Sequence, residues 1–327
     1  MRLAIIGLGH IAQHQKAALE FFPELQVVAS CDLLPEKEGI FNGPYFLSAR
    51  QMLAEADFDV AIISTPAQEQ FPLAKLCLEK GRHVLLEKPA TGDPEILRAL
   101  KGIASEHGRI LDIALHAMHG AEIAWAMAHQ DLLSKADGIR CEFSDPYCAT
   151  EDALNHGRAL GGSWIDSAIN AFTILDGLID LESLALNQIT QQFLPNGIEI
   201  HTKAQYSTLW KERRITLEVI TDWTQPVNDK RTTFYGQDIP SITLHHSGQR
   251  VFSGPDQDAR ILFDASQTGE RLTNHYRGVF QKLTETLTNR EMNSEIAERV
   301  LFLTYYGQEA FRRSRASTSA APNQSFF

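Results

Sequence analysis

The sequence predicts an α/β fold: an amino-terminal doubly wound parallel sheet, followed by an α+β domain with a large, mainly antiparallel open sheet. Three observations carry that reading. Short, nearly continuous apolar runs alternate with helical patterns through the first 116 residues, and a glycine turn follows the first run directly. From about residue 120 the pattern changes to long extended stretches in succession. Parallel strands covered by helices on both faces need apolar residues throughout, whereas half-exposed antiparallel strands alternate.

Leu3 to Ile6 reads as a strand that stops at a glycine turn, and Ile11, Ala12, Ala18 and Leu19 give the helix that follows, up to Pro23. Leu25 to Cys31 is the second strand. Ser48 with Gln51 three residues later suggests a capping box, and Val60 to Ile63 is the next buried strand. A helix beyond Pro66 reaches Lys80, with Gly81 placed to stop it, and His83 to Leu86 is again a strand. Asp93 followed by Pro94 opens a helix that ends near Gly108, before the strand Ile110 to Leu115.

The extended stretches of the second half fall at 184–194, 198–208, 213–223, 231–236 and 240–246. Ile198, Ile200 and Thr202, or Ile215, Leu217 and Val219, place one face inward and leave the other free to pair subunits into a homodimer or homotetramer. Helices are expected near 121–133, 163–178, 272–287 and 294–312. The expected domains are 1–118 and 119–314, with 315–327, rich in Ser, Ala, Asn and Pro, as a flexible tail.

The 327 residues are 43% hydrophobic and 22% charged, a globular balance, and 30 basic against 41 acidic residues leave a net charge of −11. With no basic block, neither nucleic acid nor an anionic membrane is an expected partner; a small molecule is. Four cysteines without a CxxC pair read as reduced thiols, and no cleavage pattern follows the first apolar run, so the expected address is cytoplasmic. No metal is expected either. His116 and His119 form an HxxH pair without an evident third ligand, and the sequence lacks GxSxG and GxxxxGK[ST].

The glycine turn is Gly7-Leu8-Gly9-His10-Ile11-Ala12, a GxGxxA pattern between strand and helix. Gly7 permits the turn, Gly9 lets a pyrophosphate approach, and Ala12 allows close packing while the helix N-terminus faces the anion. Asp32 ends the second strand, where an acidic side chain can accept hydrogen bonds from the adenosine ribose and repel a 2′-phosphate. Leu33 and Leu34 supply no guanidinium, so NAD is expected over NADP. The bland alternative for Asp32 is a solvated loop aspartate.

Glu87-Lys88-Pro89 follows at the carboxyl end of its strand, the edge where ligands bind. Together with GxGxxA and Ser64-Thr65-Pro66, it makes the chain resemble the Gfo/Idh/MocA oxidoreductases along nearly its whole length. The resemblance implies a Rossmann domain plus a domain with a large open sheet, a Lys88 that reaches the reacting hydroxyl of a sugar or polyol, and a cis peptide near Lys88 and Pro89. It implies a coenzyme pocket shaped by Ser64, Thr65, Pro66 and Glu87. The segment Gly161 to Asn170 resembles the family stretch carrying Asp-x-Gly-x-His, with Asp166 retained, Ala168 at the glycine and Asn170 at the histidine. Gln70 stands where a histidine is usual.

Asn170 lies four residues after Asp166, on the same helical face, and can orient a hydroxyl without shuttling a proton. Asp166 or Lys88 is then the expected proton acceptor. Asn at 170, His116 and Trp223 are similar to the L-arabinose and D-galactose 1-dehydrogenase branch, which implies oxidation of an aldose at C1 to a lactone, with those three residues holding the sugar. Two further readings stay open: an NAD-dependent glycosidase, which would hydrolyse without net NADH, and a non-catalytic dinucleotide-binding regulator.

Overall fold

The computed structural model describes residues 1–90, 93–255, 259–289 and 294–319. In chain order the first half contains β1 (Arg2–Ile6), α1 (His10–Leu19), β2 (Gln26–Cys31), β3 (Tyr45–Phe46), α2 (Ala49–Glu55), β4 (Val60–Ile63), α3 (Ala67–Glu79), β5 (His83–Glu87), α4 (Pro94–Glu106) and β6 (Leu111–Ala114). The strands form one parallel sheet in the order β3-β2-β1-β4-β5-β6. Every residue of β4 and β6 is buried, as apolar strands covered on both faces must be. Strand order reverses between β1 and β4, so the loops after β1, β4 and β5 converge on one crevice at the carboxyl edge.

The local signals act as their chemistry dictates, with one exception. Asp93 caps α4 by accepting a hydrogen bond from the Glu95 amide at 2.8 Å, and Pro94 fills the first turn. Ser48 stands at the N-cap of α2, but its side chain makes no capping bond, and Gln51 donates to Glu55 at 3.0 Å instead. The expected capping box is not formed, because Gln51 finds its carboxylate partner one turn onward.

The second half contains α5 (Ala121–Ala128), α6 (Gln130–Leu133), β7 (Gly138–Ser144), α7 (Glu151–Leu160), α8 (Ser163–Asp176), β8 (Ala185–Phe193), β9 (Glu199–Trp210), β10 (Arg213–Asp222), β11 (Asp229–Tyr235), β12 (Ile242–His245), β13 (Arg250–Ser253), β14 (Arg260–Asp264), α9 (Arg271–Asn289) and α10 (Ser294–Ser319). The helix expected over 121–133 is divided at His129. Residues 315–319 of the expected tail continue α10, and 320–327 lie outside the described residues.

The eight strands order as β14-β13-β12-β11-β7-β10-β9-β8. All neighbours are antiparallel except β10 with β7. Ile215, Leu217 and Val219 point inward, where α8 covers the sheet. The opposite face is polar: Glu218 there meets Arg140 at 2.8 Å and Lys203 at 2.7 Å. The chain then returns to its beginning. Tyr276, Val279, Phe280 and Leu283 of α9 share a core with Leu3, Ile5, Leu8 and Ala12, so α9 closes one side of the crevice.

Candidate active site

The glycine turn and the loop after β4 meet at the switch point. Gly7 has φ +90°, and a Cβ there would lie 2.7 Å from the Ser64 carbonyl oxygen, so only glycine fits. Gly9, at the N-cap of α1, has ordinary φ −75°, and a Cβ there would meet nothing within 4 Å. The space in front of Gly9 and the first amides of α1 is open, as an anion at a helix N-terminus requires. Ala12 is fully buried against the sheet, while His10 and Ile11 border the cleft.

Asp32 is tied to this turn. Its Oδ2 accepts from the Leu8 amide at 2.6 Å and its Oδ1 from the Leu34 amide at 3.1 Å, which fixes the carboxylate beside the glycine loop. A carboxylate has about four acceptor positions, so two remain for ribose hydroxyls. The Leu33 and Leu34 side chains are 82% and 48% exposed. Thr65 Oγ1 is buried with no hydrogen-bond partner among the described residues. These features fit a dinucleotide held by Gly7 to Ala12, Asp32 and Ser64 to Pro66.

Glu87, at the end of β5, is buried beneath the crevice. It accepts from Gln15 at 3.1 Å and from the Tyr276 hydroxyl, linking α1, β5 and α9. Burial pushes its carboxyl up to about 7, against the hydrogen bond from Tyr276 and the attraction of Lys88. Gln15 also bonds Ser64 Oγ at 3.0 Å. Gln70 donates to the Glu87 carbonyl at 3.0 Å and the Thr65 carbonyl at 3.2 Å, so the amide in place of the usual histidine fastens the two loops together.

Lys88 comes next, joined to Pro89 by a cis peptide. Its Nζ donates to Asp166 Oδ1 at 2.7 Å and to the Asp166 carbonyl at 3.1 Å, across the interface of the two sheets' domains. Burial alone would favour the neutral amine, but attraction and hydrogen bonding to Asp166, with Glu87 and Asp145 further off, outweigh it and raise the Lys88 pKa. Lys88 is held as an ammonium.

Asp166 and Asn170 sit one turn apart on α8, whose start is fixed by Gly161 and Gly162. The Asn170 amide donates to the Asp166 carbonyl at 3.4 Å, and both side chains line the cleft beside Lys88. His116 lines the same cleft, stacked on His275 and Tyr276, with its Nδ1 3.3 Å from His275 Nδ1. Burial, reinforced by His275 and Lys88, holds its pKa well below the usual value, so it is a neutral imidazole. The structure thus brings His10, Ile11, Lys88, His116, Asp166 and Asn170 together.

Trp223 is placed otherwise. It is 0% exposed, behind the Tyr147 ring at a centroid distance of 4.7 Å, in a small core with Ile198 and Ile200. The expectation that Trp223 lines the sugar pocket is corrected: Gly157 presses on its ring and Tyr147 occupies the cleft wall in front of it.

The remaining wall falls partly in 143–160 and 223–232, the stretches the sequence leads one to expect around the pocket, but its individual residues and their pairing were not read from it. Lys230 Nζ meets Asp145 Oδ1 at 2.5 Å, and Asn228 donates to the same oxygen at 2.6 Å. His246 Nδ1 lies 2.9 Å from Glu122 Oε1, while Arg271 and His275 come from α9. These partners are 85 and 124 positions apart, so no local spacing announces them. One signal existed: Lys230 shares the inward face of β11 with Thr232 and Phe234, a position where a lysine must be paired.

With this geometry in place, residues 1–115 match the Gfo/Idh/MocA profile, an oxidoreductase family with an NAD-binding Rossmann fold. The match covers the residues of the parallel sheet, about a third of the chain. Among curated relatives, the uncharacterized oxidoreductase YdgJ of Escherichia coli is 30% identical over 116 residues, 35% of this chain and 34% of that protein. D-glucoside 3-dehydrogenase of Escherichia coli is 31% identical over 124 residues, 36% and 35% respectively. The chain thus matches about a third of the length of its curated relatives.

Solved structures are similar along almost the whole chain. An oxidoreductase from Agrobacterium radiobacter, in complex with NAD+, L-tartaric acid and magnesium, is 16% identical with a TM-score of 0.78, covering 96% of this chain and 97% of that one. A 3-ketoreductase from Actinomadura kijaniata, in complex with TDP-benzene and NADP, is 17% identical with a TM-score of 0.79 and the same coverage. At these identities the likeness establishes the fold, a Rossmann-like sheet with a second, mainly antiparallel sheet.

Proposed function

We propose that this protein is an NAD-dependent dehydrogenase acting on a carbinol of a sugar-like substrate, with Lys88 and Asp166 handling the hydroxyl proton. The observation that carries the reading is the Lys88–Asp166 pair, 2.7 Å apart, at the sheet edge next to the dinucleotide turn. Nicotinamide dinucleotide, when bound, supplies the acceptor for the carbinol hydride. Gly7 to Ala12 and Ser64 to Pro66 bind it, and Asp32 favours NAD over NADP.

The Lys88 ammonium donates to the substrate oxygen and stabilises charge that develops there, while Asp166 receives the proton, directly or through Lys88. The two act as one hydrogen-bonded unit. The Asn170 amide and the neutral His116 offer a donor and an acceptor each, which orient hydroxyls without competing for the proton. Oxidation of an aldose at C1 is the finer form of the proposal, supported by Asn170 and His116 in the cleft and not by Trp223. The sugar dehydrogenase named among the relatives supports the substrate class. Subunit pairing through the open sheet and a cytoplasmic address belong to the same proposal.

The test is NADH formation by purified protein across aldoses, polyols and inositols. Turnover of at least one class with NAD supports the reading; hydrolysis of a glycoside without net NADH, or coenzyme binding without turnover on any class, refutes it.

A further inference from the structure

Three cations line the inner cleft, and they are held differently. Lys88 meets Asp166 and Lys230 meets Asp145, at 2.7 and 2.5 Å. Arg271, the first residue of α9, faces the same cleft without an ion pair or hydrogen-bond acceptor among the described residues. The carboxylates that attract it do so from beyond contact; Glu270 and Asp145 are engaged elsewhere, and Glu122 is engaged through Oε1 while its buried Oε2 has no partner among the described residues. Glu122 Oε1 lies 2.9 Å from His246 Nδ1, Glu270 accepts from the Thr273 amide at 2.7 Å, and Asp145 holds Lys230 and Asn228.

Burial nevertheless strips water from the guanidinium, enough to lower its pKa. A planar group with five donors and no protein acceptor among the described residues, on a partly buried cleft wall, leaves those donors for water or for an anion in the cleft. The flat fork matches a carboxylate through two parallel hydrogen bonds.

We propose that the substrate carries a carboxylate, received by Arg271 with Lys230 alongside, so that a hydroxyl of the same molecule falls at Lys88 and Asp166. The substrate class is then a polyhydroxy acid, such as an aldonic or uronic acid, in place of a neutral sugar. The identity of the reacting hydroxyl rests on the dehydrogenase reading; the binding of the acid does not. A coenzyme pyrophosphate is the other anion within reach of this cleft, since His10 and Ile11 border it. Lys230, His116 and His275, which line the same cleft as Arg271, lie on the substrate side, which favours the acid.

Calorimetry on the NAD+-loaded protein, with D-galactose against D-galacturonate and D-glucose against D-gluconate, tests this. Wild type should bind at least one acid about 100-fold tighter than its neutral counterpart, as a desolvated charge pair provides. Arg271→Gln should erase that preference and Arg271→Lys should retain part of it, with NAD+ affinity unchanged within about threefold in both. Acid bound no tighter than neutral sugar, or a preference that survives in Arg271→Gln, overturns the proposal. So does a loss of NAD+ affinity with selectivity intact, which would assign Arg271 to the pyrophosphate. If Arg271→Gln fails to fold, Arg271→Lys decides: an undiminished preference overturns the proposal, and a reduced one supports it. Acid binding lost in Arg271→Gln, without NADH formation in wild type, supports this inference while refuting the dehydrogenase reading.

Discussion

Lys88 and Asp166, 78 positions apart in the chain, meet at 2.7 Å where the parallel sheet faces helix α8. The contact joins the carboxyl edge of one domain to the first turn of a helix in the other. It also holds Lys88 as an ammonium, because a buried lysine keeps its proton only beside a carboxylate.

Replacing Asp166 by Asn removes the attraction that opposes burial at Lys88, so the Lys88 pKa should fall. Labelling of Lys88 by an amine-selective acylating reagent should then begin at lower pH than in wild type. Turnover should drop by about 10²- to 10⁴-fold through the loss of the proton acceptor. An unshifted labelling profile would show that the pair does not control Lys88.

Gly7 and Gly9 should respond oppositely to alanine. Gly7→Ala places a Cβ against the Ser64 carbonyl at positive φ and should lower the melting temperature. Gly9→Ala meets open space and has ordinary φ, so the fold should tolerate it while coenzyme affinity falls about tenfold or more, read by thermal melting and calorimetry together. Equal destabilisation by both would contradict the assignment of Gly9 to binding.

Glu87 makes stability depend on pH. Burial raises its carboxyl from an ordinary 4.5 to about 7, so the neutral form is favoured in the fold. The favourable contribution is complete below about pH 4.5 and is lost as pH rises through 7. At ~1.4 kcal/mol per pH unit the full effect is about 3 kcal/mol. Glu87→Gln, which cannot ionise, should therefore gain on wild type between pH 4.5 and pH 8 in melting experiments. The raised Asp112 and the depressed His116, His119 and His275 are common to both proteins and cancel in the comparison.

Asp32 accepts two backbone amides and still has two acceptor positions left. Asp32→Ala should weaken NAD binding by about tenfold or more while affecting NADP less, since a ribose 2′-phosphate loses its repulsion. A wild-type preference for NADP would remove Asp32 from this role.

The residues proposed for the dinucleotide were legible as a group because they are local in sequence. Gly7, Gly9 and Ala12 fall within one turn, and Ser64 to Pro66 and Glu87 to Pro89 end strands whose apolar runs are unmistakable. Asp166 and Asn170 were legible by helical spacing. The other wall was legible only as the stretches 143–160 and 223–232, and its pairs were not, because Lys230 with Asp145 and Glu122 with His246 are brought together only by the order of the second sheet. Strands β13 and β14 are too short to show alternation and helix α7 carries few apolar residues with Gly157 in its interior, and Trp223 was misplaced because alternation along a strand does not reveal that Tyr147 stands in front of it.

The most direct test follows absorbance at 340 nm as purified protein and its Lys88→Met variant are offered NAD with aldoses, polyols, inositols and the corresponding acids. We predict NADH formation on at least one substrate by wild type and a loss of about 10³-fold or more in the variant, with NAD affinity kept within about threefold. Undiminished turnover in Lys88→Met, or no binding of either nicotinamide coenzyme by wild type, would contradict the account.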